Sequence, residues 1–316
     1  MKKIAIMESL AITAEELAEF KKPFEAQGYT FFDYQKTTDV PTLIEEAKDA
    51  EVMIIANMPM PNEVIRACDN LKFIDVAFTG VDHVGLEACR EKGIAVSNAS
   101  GYANEAVAEL AIGMAIDLIR NIPQVEQRCR DGKTKDGLVG FELKGKTVGI
   151  IGYGKIGART GELLHAFGSK ILAQSRSYHP EYPDYVEQVS QEELLKRSDI
   201  VILHCPLNDS TRGMINADSL AMMKKTAYLI NVARGPVVDE NALADALNNG
   251  VIAGAALDVF TAEPPLDPEL PILKAKNTIV TPHIGFASAQ SMLLRAQIIG
   301  ENLQCWIDGK QINVIK

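Results

Sequence analysis

Residues 148–157 read VGIIGYGKIG. An apolar run enters Gly152-x-Gly154-x-x-Gly157, and a helical pattern follows over 158–167. That order is strand, tight turn, helix. Gly152 permits the turn, Gly154 lets the backbone approach a pyrophosphate, and Gly157 lets the helix lie close on the strand. The helix N-terminus then offers free N–H groups and a partial positive charge to the phosphates. Tyr153, Lys155 and Ile156 complete the turn and are expected, with the three glycines, to touch such a cofactor. A lone GxGxxG also fits a merely structural turn. Here the strand before it and the helix after it supply the context that dinucleotide binding requires.

Outward from this turn the chain alternates strand and helix. Downstream, apolar runs at 170–174, 186–189, 200–204, 227–232, 252–257 and 278–281 predict further strands, and 287–308 a last helix. Upstream, 3–7, 52–56, 73–78 and 94–97 read as strands, and 13–27 as an amphipathic helix with Thr13 and Glu16 in a capping box. Residues 103–120 form a helix apolar on most sides, so it is buried or lies at an interface. Such alternation gives parallel sheets with helices on their faces. The expected fold class is α/β, and the family resemblance described below implies two Rossmann/flavodoxin-like doubly wound domains. Because a fresh βαβ series starts near 147, one domain is expected to be inserted in the other.

The totals limit the function. The 316 residues are 47% hydrophobic and 23% charged, the balance of a globular chain long enough for two cores. A net charge of −10 disfavours nucleic acid and anionic membranes. It does not exclude an anionic substrate, since one local arginine overrides the mean field. Five widely spaced cysteines, with no CxxC pair, argue for a reducing compartment and against a disulfide framework or a metal site. No signal peptide or membrane span is expected, and the cytoplasm is the expected location.

Three polar residues stand at the ends of apolar runs, where ligands bind in open α/β sheets. Arg234, in NVARGPVVDE (231–240), is placed to grip a carboxylate with two parallel hydrogen bonds. It also fits a surface arginine capping a loop. Glu263, in LDVFTAEPP (257–265), and His283, in TPHIG (281–285), are each ambiguous alone. Together the three form a mechanism. Reducing a ketone by hydride transfer needs a proton donor at oxygen. Histidine serves both directions, a carboxylate favours its protonated form, and an arginine holds the substrate and polarises its carbonyl.

The chain closely resembles the D-isomer-specific 2-hydroxyacid dehydrogenases. The resemblance is carried, in the family's order, by residues 78–109, by 148–157, by LHCPLNDSTRGMI (203–215), by 231–240, by 257–265 and by 281–285. It implies a discontinuous substrate domain, 1–99 and 287–316, around a cofactor domain, 100–286. It implies that Arg234 binds the substrate carboxylate and keto oxygen, that Glu263 pairs with His283, and that His283 is the acid/base. Gly80 and Val81 would offer backbone N–H groups to the carboxylate. Asp258 would face the nicotinamide carboxamide, and Cys205 and Pro206 would line the adenosine side. Thr211, Val232, Ala233 and Gly285 belong to the same implied cofactor surface, and 103–120 matches the segment through which members dimerise.

There are departures. Ser175-Arg176 stands where the family usually has an Asp after the second Rossmann strand, and Ser177 follows. An Asp there holds the two ribose hydroxyls of NAD and repels a 2′-phosphate, whereas Arg176 and the two serines can bind one. NADP(H) is therefore expected over NAD(H). Asn57-Met58-Pro59-Met60 lacks the basic residue of phosphoglycerate-using members, so an unphosphorylated substrate is expected, and Phe286 replaces a small residue. About thirty residues follow His283, and no regulatory domain is expected. A glyoxylate/hydroxypyruvate-type reductase of short 2-keto acids is the expected activity. The alternatives are a 3-phosphoglycerate dehydrogenase and, in another class, a dinucleotide-sensing corepressor-like binding protein.

Overall fold

The computed structural model describes residues 2–316. The chain divides into two compact units, Met1–Ala103 with Phe286–Lys316, and Asn104–Gly285.

The first unit is a parallel sheet of β1 (Lys2–Ile6), β2 (Tyr29–Asp33), β3 (Val52–Ile55), β4 (Phe73–Val76) and β5 (Ala95–Asn98), in the order β2-β1-β3-β4-β5. Helices α1 (Ala14–Glu25), α2 (Val40–Ala47), α3 (Asn62–Ala67) and α4 (Leu86–Lys92) connect them. β3 and β4 are buried throughout, as strands covered on both faces are, and β4 carries one polar residue, Asp75. β2 is absent from the sequence expectation. It pairs only with β1 and is half-exposed, so YTFFD carries no continuous apolar signal. The capping box is present: Glu16 N donates to Thr13 Oγ1 at 3.2 Å and Thr13 N to Glu16 Oε2 at 2.7 Å.

The second unit holds β6 (Thr147–Ile151), β7 (Lys170–Gln174), β8 (Val186–Gln188), β9 (Ile200–Leu203), β10 (Tyr228–Asn231), β11 (Gly254–Leu257) and β12 (Thr278–Val280). All pair in parallel, in the order β12-β11-β10-β9-β6-β7-β8. Its helices are α5 (Asn104–Ile119), α6 (Ile122–Arg130), α7 (Lys155–Ala166), α8 (Gln191–Arg197), α9 (Ala217–Met222) and α10 (Glu240–Asn248). The strand order reverses where β6 lies between β7 and β9, and the crevice at that reversal is where doubly wound sheets take ligands. α5 packs on α7, β10, β11 and β12, which accounts for its apolar circumference.

The last helix, α11 (Ala289–Ile307), returns to the first unit through buried polar contacts. Asn302 Nδ2 donates to Asp75 Oδ1 at 2.9 Å and to the Asn98 carbonyl at 3.0 Å, and Asn313 Nδ2 donates to Asn302 Oδ1 at 2.8 Å. The Arg295 guanidinium, also buried, donates to the Leu10 carbonyl at 2.5 Å and to that of Ala77 at 3.4 Å. It thereby ties together the loops that follow β1 and β4.

Asp75 is 0% exposed, and burial pushes its carboxyl well above the usual carboxylate range. A carboxyl raised on folding takes up a proton as the chain folds. Its contribution is complete below the unfolded value near 4 and is lost as pH rises through the folded value, at most about 1.4 kcal/mol per pH unit. Asparagine keeps the oxygen that Asn302 uses and never ionises. Thermal melts at pH 5 and pH 8 should therefore show Asp75→Asn gaining stability relative to wild type at the higher pH. An equal change in both proteins would show that Asp75 does not titrate in this interval.

Candidate active site

The phosphate turn has the geometry its glycines require. Gly152 sits at φ +93°, and a Cβ there would lie 2.5 Å from Cys205 N. A Cβ on Gly157 would lie 2.3 Å from the Gly152 carbonyl oxygen. Gly154, by contrast, faces open space and is the N-cap of α7. The backbone there is bare, and the first N–H groups of a twelve-residue helix follow it. That is a cradle for a phosphate, and the residues present fit a dinucleotide. Lys155 is exposed beside it and Ile156 half-buried, while Tyr153 turns its ring inward against Gly161 and Tyr182.

The turn after β9 carries Cys205 and Pro206. Burial pushes the Cys205 thiol up to about 11, so it is an apolar wall and not a nucleophile. Thr211 Oγ1 donates to the Pro206 carbonyl at 2.7 Å and receives Asn208 N at 2.9 Å, which fixes this turn. The neighbouring His204 is held down to about 3 by burial, with Nε2 at 3.0 Å from Thr160 Oγ1, and stays neutral.

At the end of β10, Val232 and Ala233 are buried and Arg234 is half-buried. Fully buried Asn231 fixes this loop. Its Nδ2 donates to the Arg234 carbonyl at 3.0 Å and its Oδ1 accepts Ala233 N at 3.1 Å. Gly235 has no room for a side chain, since a Cβ would lie 1.8 Å from the Phe260 carbonyl carbon. The Arg234 backbone is therefore set from both sides, and its Nη1 donates to the Ala233 carbonyl at 2.8 Å.

His283 lies in the turn after β12, at φ +59°. Its Nδ1 stands 2.9 Å from Glu263 Oε2 and 3.1 Å from Oε1. The structure thus brings together two residues twenty apart in sequence. The contact of Nδ1 with a carboxylate fixes the orientation of the ring. What holds the turn is Asp258, 1% exposed at the end of β11. Its Oδ1 accepts the Thr281 hydroxyl at 2.6 Å and Ile284 N at 2.8 Å, and its Oδ2 accepts Gly285 N at 2.7 Å. Its carbonyl accepts His283 N at 2.8 Å. These bonds make the Asp258 carboxylate the anchor of the histidine turn, besides the nicotinamide contact that the family resemblance implies for it. Asn231 was missed altogether. The signal available for both was a polar residue closing an otherwise apolar strand.

Ser175 and Arg176 follow β7. Ser175 is half-buried with its hydroxyl 2.6 Å from Tyr182 Oη, and Arg176 and Ser177 are exposed. In the first unit, Gly80 and Val81 form the turn after β4 and are half-exposed. The stretch 57–60 is less neutral in space than in sequence. Lys36 Nζ donates to Asn57 Oδ1 at 2.8 Å, and buried Glu8 accepts Ala56 N at 2.8 Å and Met58 N at 2.7 Å. Among the described residues no cluster of His, Cys, Asp and Glu could hold a metal ion, and no helix is long and apolar enough to cross a membrane.

Residues 112–285 match the family described as D-isomer specific 2-hydroxyacid dehydrogenase, NAD binding domain. The chain belongs to the D-isomer specific 2-hydroxyacid dehydrogenases. The dehydrogenase is 36% identical to a hydroxypyruvate reductase of Blautia hydrogenotrophica, across 93% of this chain and 94% of that protein. It is 39% identical to the D-3-phosphoglycerate dehydrogenase of Methanocaldococcus jannaschii across 85% of this chain, spanning 52% of that longer protein. Among solved structures, an acyclic imino acid reductase in complex with NADPH and D-Arg superposes with a TM-score of 0.89 at 28% identity, covering 99% of this chain and 100% of that one. The dehydrogenase is thus an oxidoreductase with a nicotinamide-dinucleotide domain of Rossmann type, acting on small 2-hydroxy or 2-keto acids.

The anchor suggests a test. Asp258→Asn leaves an amide nitrogen where Gly285 N needs an acceptor. A buried donor left unpaired costs about 1–3 kcal/mol, and the loss falls on the turn that sets His283. We expect kcat to fall at least tenfold, and NAD(P)H affinity in fluorescence titrations to weaken as well, because the same turn is assigned to the cofactor. Wild-type kcat would show that the turn holds without the carboxylate.

Proposed function

We propose that this dehydrogenase reduces a short 2-keto acid of the glyoxylate or hydroxypyruvate type to the D-2-hydroxy acid, with NADP(H) preferred over NAD(H). The observation that carries the reaction is the His283–Glu263 pair, 2.9 Å between Nδ1 and Oε2, on a turn anchored by Asp258. In this reading Arg234 holds the substrate carboxylate and polarises the keto oxygen, helped by the N–H groups of Gly80 and Val81. The reduced cofactor, when bound, supplies hydride to the keto carbon. His283 Nε2 delivers the proton to the oxygen as charge develops there, and Glu263 stabilises the imidazolium beforehand.

For the cofactor, the contacts are assigned to the backbone of 152–157, to Cys205, Pro206 and Thr211, to Val232 and Ala233, and to the 283–285 turn. Ser175, Arg176 and Ser177 are assigned to a 2′-phosphate. Support comes from the lack of an acid at 175 and from Arg176, which is exposed and forms no ion pair among the described residues. Five free thiols fit a reducing cytoplasm, and the Glu109–Gly113 face of α5 fits a homodimer contact. A second reading, a substrate bearing a phosphate, is favoured by Lys36 beside Asn57. Rates on glyoxylate, hydroxypyruvate, pyruvate and phosphohydroxypyruvate separate the two. Lack of turnover on any of them would favour a dinucleotide-sensing role.

His283→Ala should lower kcat about 10²–10⁴-fold, the usual worth of a general acid, while dinucleotide affinity stays within about threefold. A near-normal kcat would remove His283 from the chemistry. The cofactor reading is decided by kcat/KM for NADPH and NADH with one keto acid. We expect NADPH to be ahead, and a tenfold advantage for NADH would overturn the assignment of Ser175 and Arg176.

A further inference from the structure

The two members of the His283–Glu263 pair are held unequally. The turn of His283 is hydrogen-bonded to buried Asp258. Glu263 instead lies on the loop that leaves β11, and Thr261, Ala262 and Glu263 are all exposed there. The last buried side chain before it is Phe260. Two contacts hold this loop, and both come from the segment that begins at Arg234. Gly235 lies against it, since a Cβ there would stand 1.8 Å from the Phe260 carbonyl carbon and 2.4 Å from Thr261 N. Glu240 reaches it with its carboxylate, and Oε1 accepts Thr261 N at 2.5 Å. Among the described residues, that is the last hydrogen bond made by the backbone of this loop before Glu263.

The direction of that bond is fixed by chemistry, because a backbone N–H only donates and an ionised carboxylate only accepts. A charged acceptor also makes it roughly twice as strong as a neutral one would. The carboxylate is offered from a firm base. Glu240 is the first residue of α10, which buries Leu243, Ala244, Ala246 and Leu247. The N-cap Asp239 accepts Asn241 N at 3.1 Å and Ala242 N at 3.0 Å, and its own N–H donates to the Ile215 carbonyl at 2.8 Å. An acid in the first turn also suits the helix dipole. Among the described residues Glu240 makes no ion pair, and its one side-chain hydrogen bond is the one to Thr261 N. A packed helix end thus carries a carboxylate to a loop that has little packing of its own.

We propose that Glu240 is a positioning residue for the proton donor: by holding Thr261 N, it sets the approach of Glu263 to His283 Nδ1. This rests on the reading of His283 and Glu263 as the acid/base pair. The tether is close enough to matter. Glu263 is two residues past Thr261, a span of at most about 7 Å of chain. The contact it sets is also intolerant, since a shift of about 1 Å takes a hydrogen bond of ordinary length out of range. Arg234 and Glu240 bound one short segment, so the element that carries the arginine also places the partner of the histidine.

The test is the steady-state kinetics of keto-acid reduction, with whichever of glyoxylate and hydroxypyruvate the wild type turns over faster. The variants are Glu240→Leu, Glu240→Gln, Glu263→Gln and the double variant of Glu240→Leu with Glu263→Gln. In Glu240→Leu, kcat should fall about ten- to a hundredfold, the scale of a misplaced catalytic group, with KM within about threefold. KM is spared because the Arg234 loop keeps its bonds to Asn231. Glutamine keeps an oxygen for Thr261 N, so Glu240→Gln should stay within about threefold of wild-type kcat. The double variant should match Glu263→Gln, since Glu240 acts through that carboxylate. A normal kcat in Glu240→Leu, an equal loss in Glu240→Gln, a change confined to KM, or losses that multiply in the double variant would each overturn the proposal. If Glu240→Leu does not fold, Glu240→Ala is read in its place, because alanine favours the helix and removes the same acceptor. The reading beneath the proposal fails separately: wild-type kcat in Glu263→Gln removes Glu263 from the chemistry, whatever Glu240 does.

Discussion

The site depends on one carboxylate. Asp258 closes β11 and accepts hydrogen bonds from three groups of a turn more than twenty residues downstream. Its own N–H donates to the Asn231 carbonyl at 2.9 Å, at the end of the neighbouring strand β10. Parallel pairing of β10, β11 and β12 brings these ends to one edge of the sheet. The loop of Arg234 and the turn of His283 are thereby referred to a common frame of buried polar groups. Such groups are costly when unpaired and rigid when satisfied, which suits a frame better than apolar packing does. His283 can hold φ +59° because four hydrogen bonds to Asp258 surround it.

Much of this was legible in the sequence, for reasons of period and punctuation. The glycines of 152–157 and the apolar strands announced the doubly wound sheet, and strand ends pointed to Glu263 and His283, which the structure brings into contact. β2 escaped because an edge strand is half-exposed and its residues alternate. The 122–130 helix escaped because it buries no residue and its apolar positions are few, Ile122, Val125 and Cys129. Lys36 escaped for a different reason: it reaches Asn57 through space, from a loop twenty-one residues away.

Asp258 shows a subtler limit. A motif names the residue and attaches a role to it, but only geometry shows where its lone pairs go. Three of them are occupied by the chain itself, and the residue is almost wholly buried.

The net charge of −10 sets the remaining constraint. Both ligands of a keto-acid reductase are anions, so the mean field opposes each of them. Binding must come from local donors whose reach is short, because ordinary salt screens exposed charges beyond about 8–10 Å. The described residues meet this with dipoles and single cations, not with a basic patch. The backbone at Gly154 is bare where α7 begins, exposed Arg176 follows β7, and Arg234 is pinned at the end of β10. Some cations near these loops are consumed by carboxylates, as Arg159 is by Glu105 and Glu162 and Lys36 partly by Glu8. An acidic surface with a few cations set at strand ends discriminates by position. An anion gains only where its charge meets one of those points, and elsewhere the surface repels it.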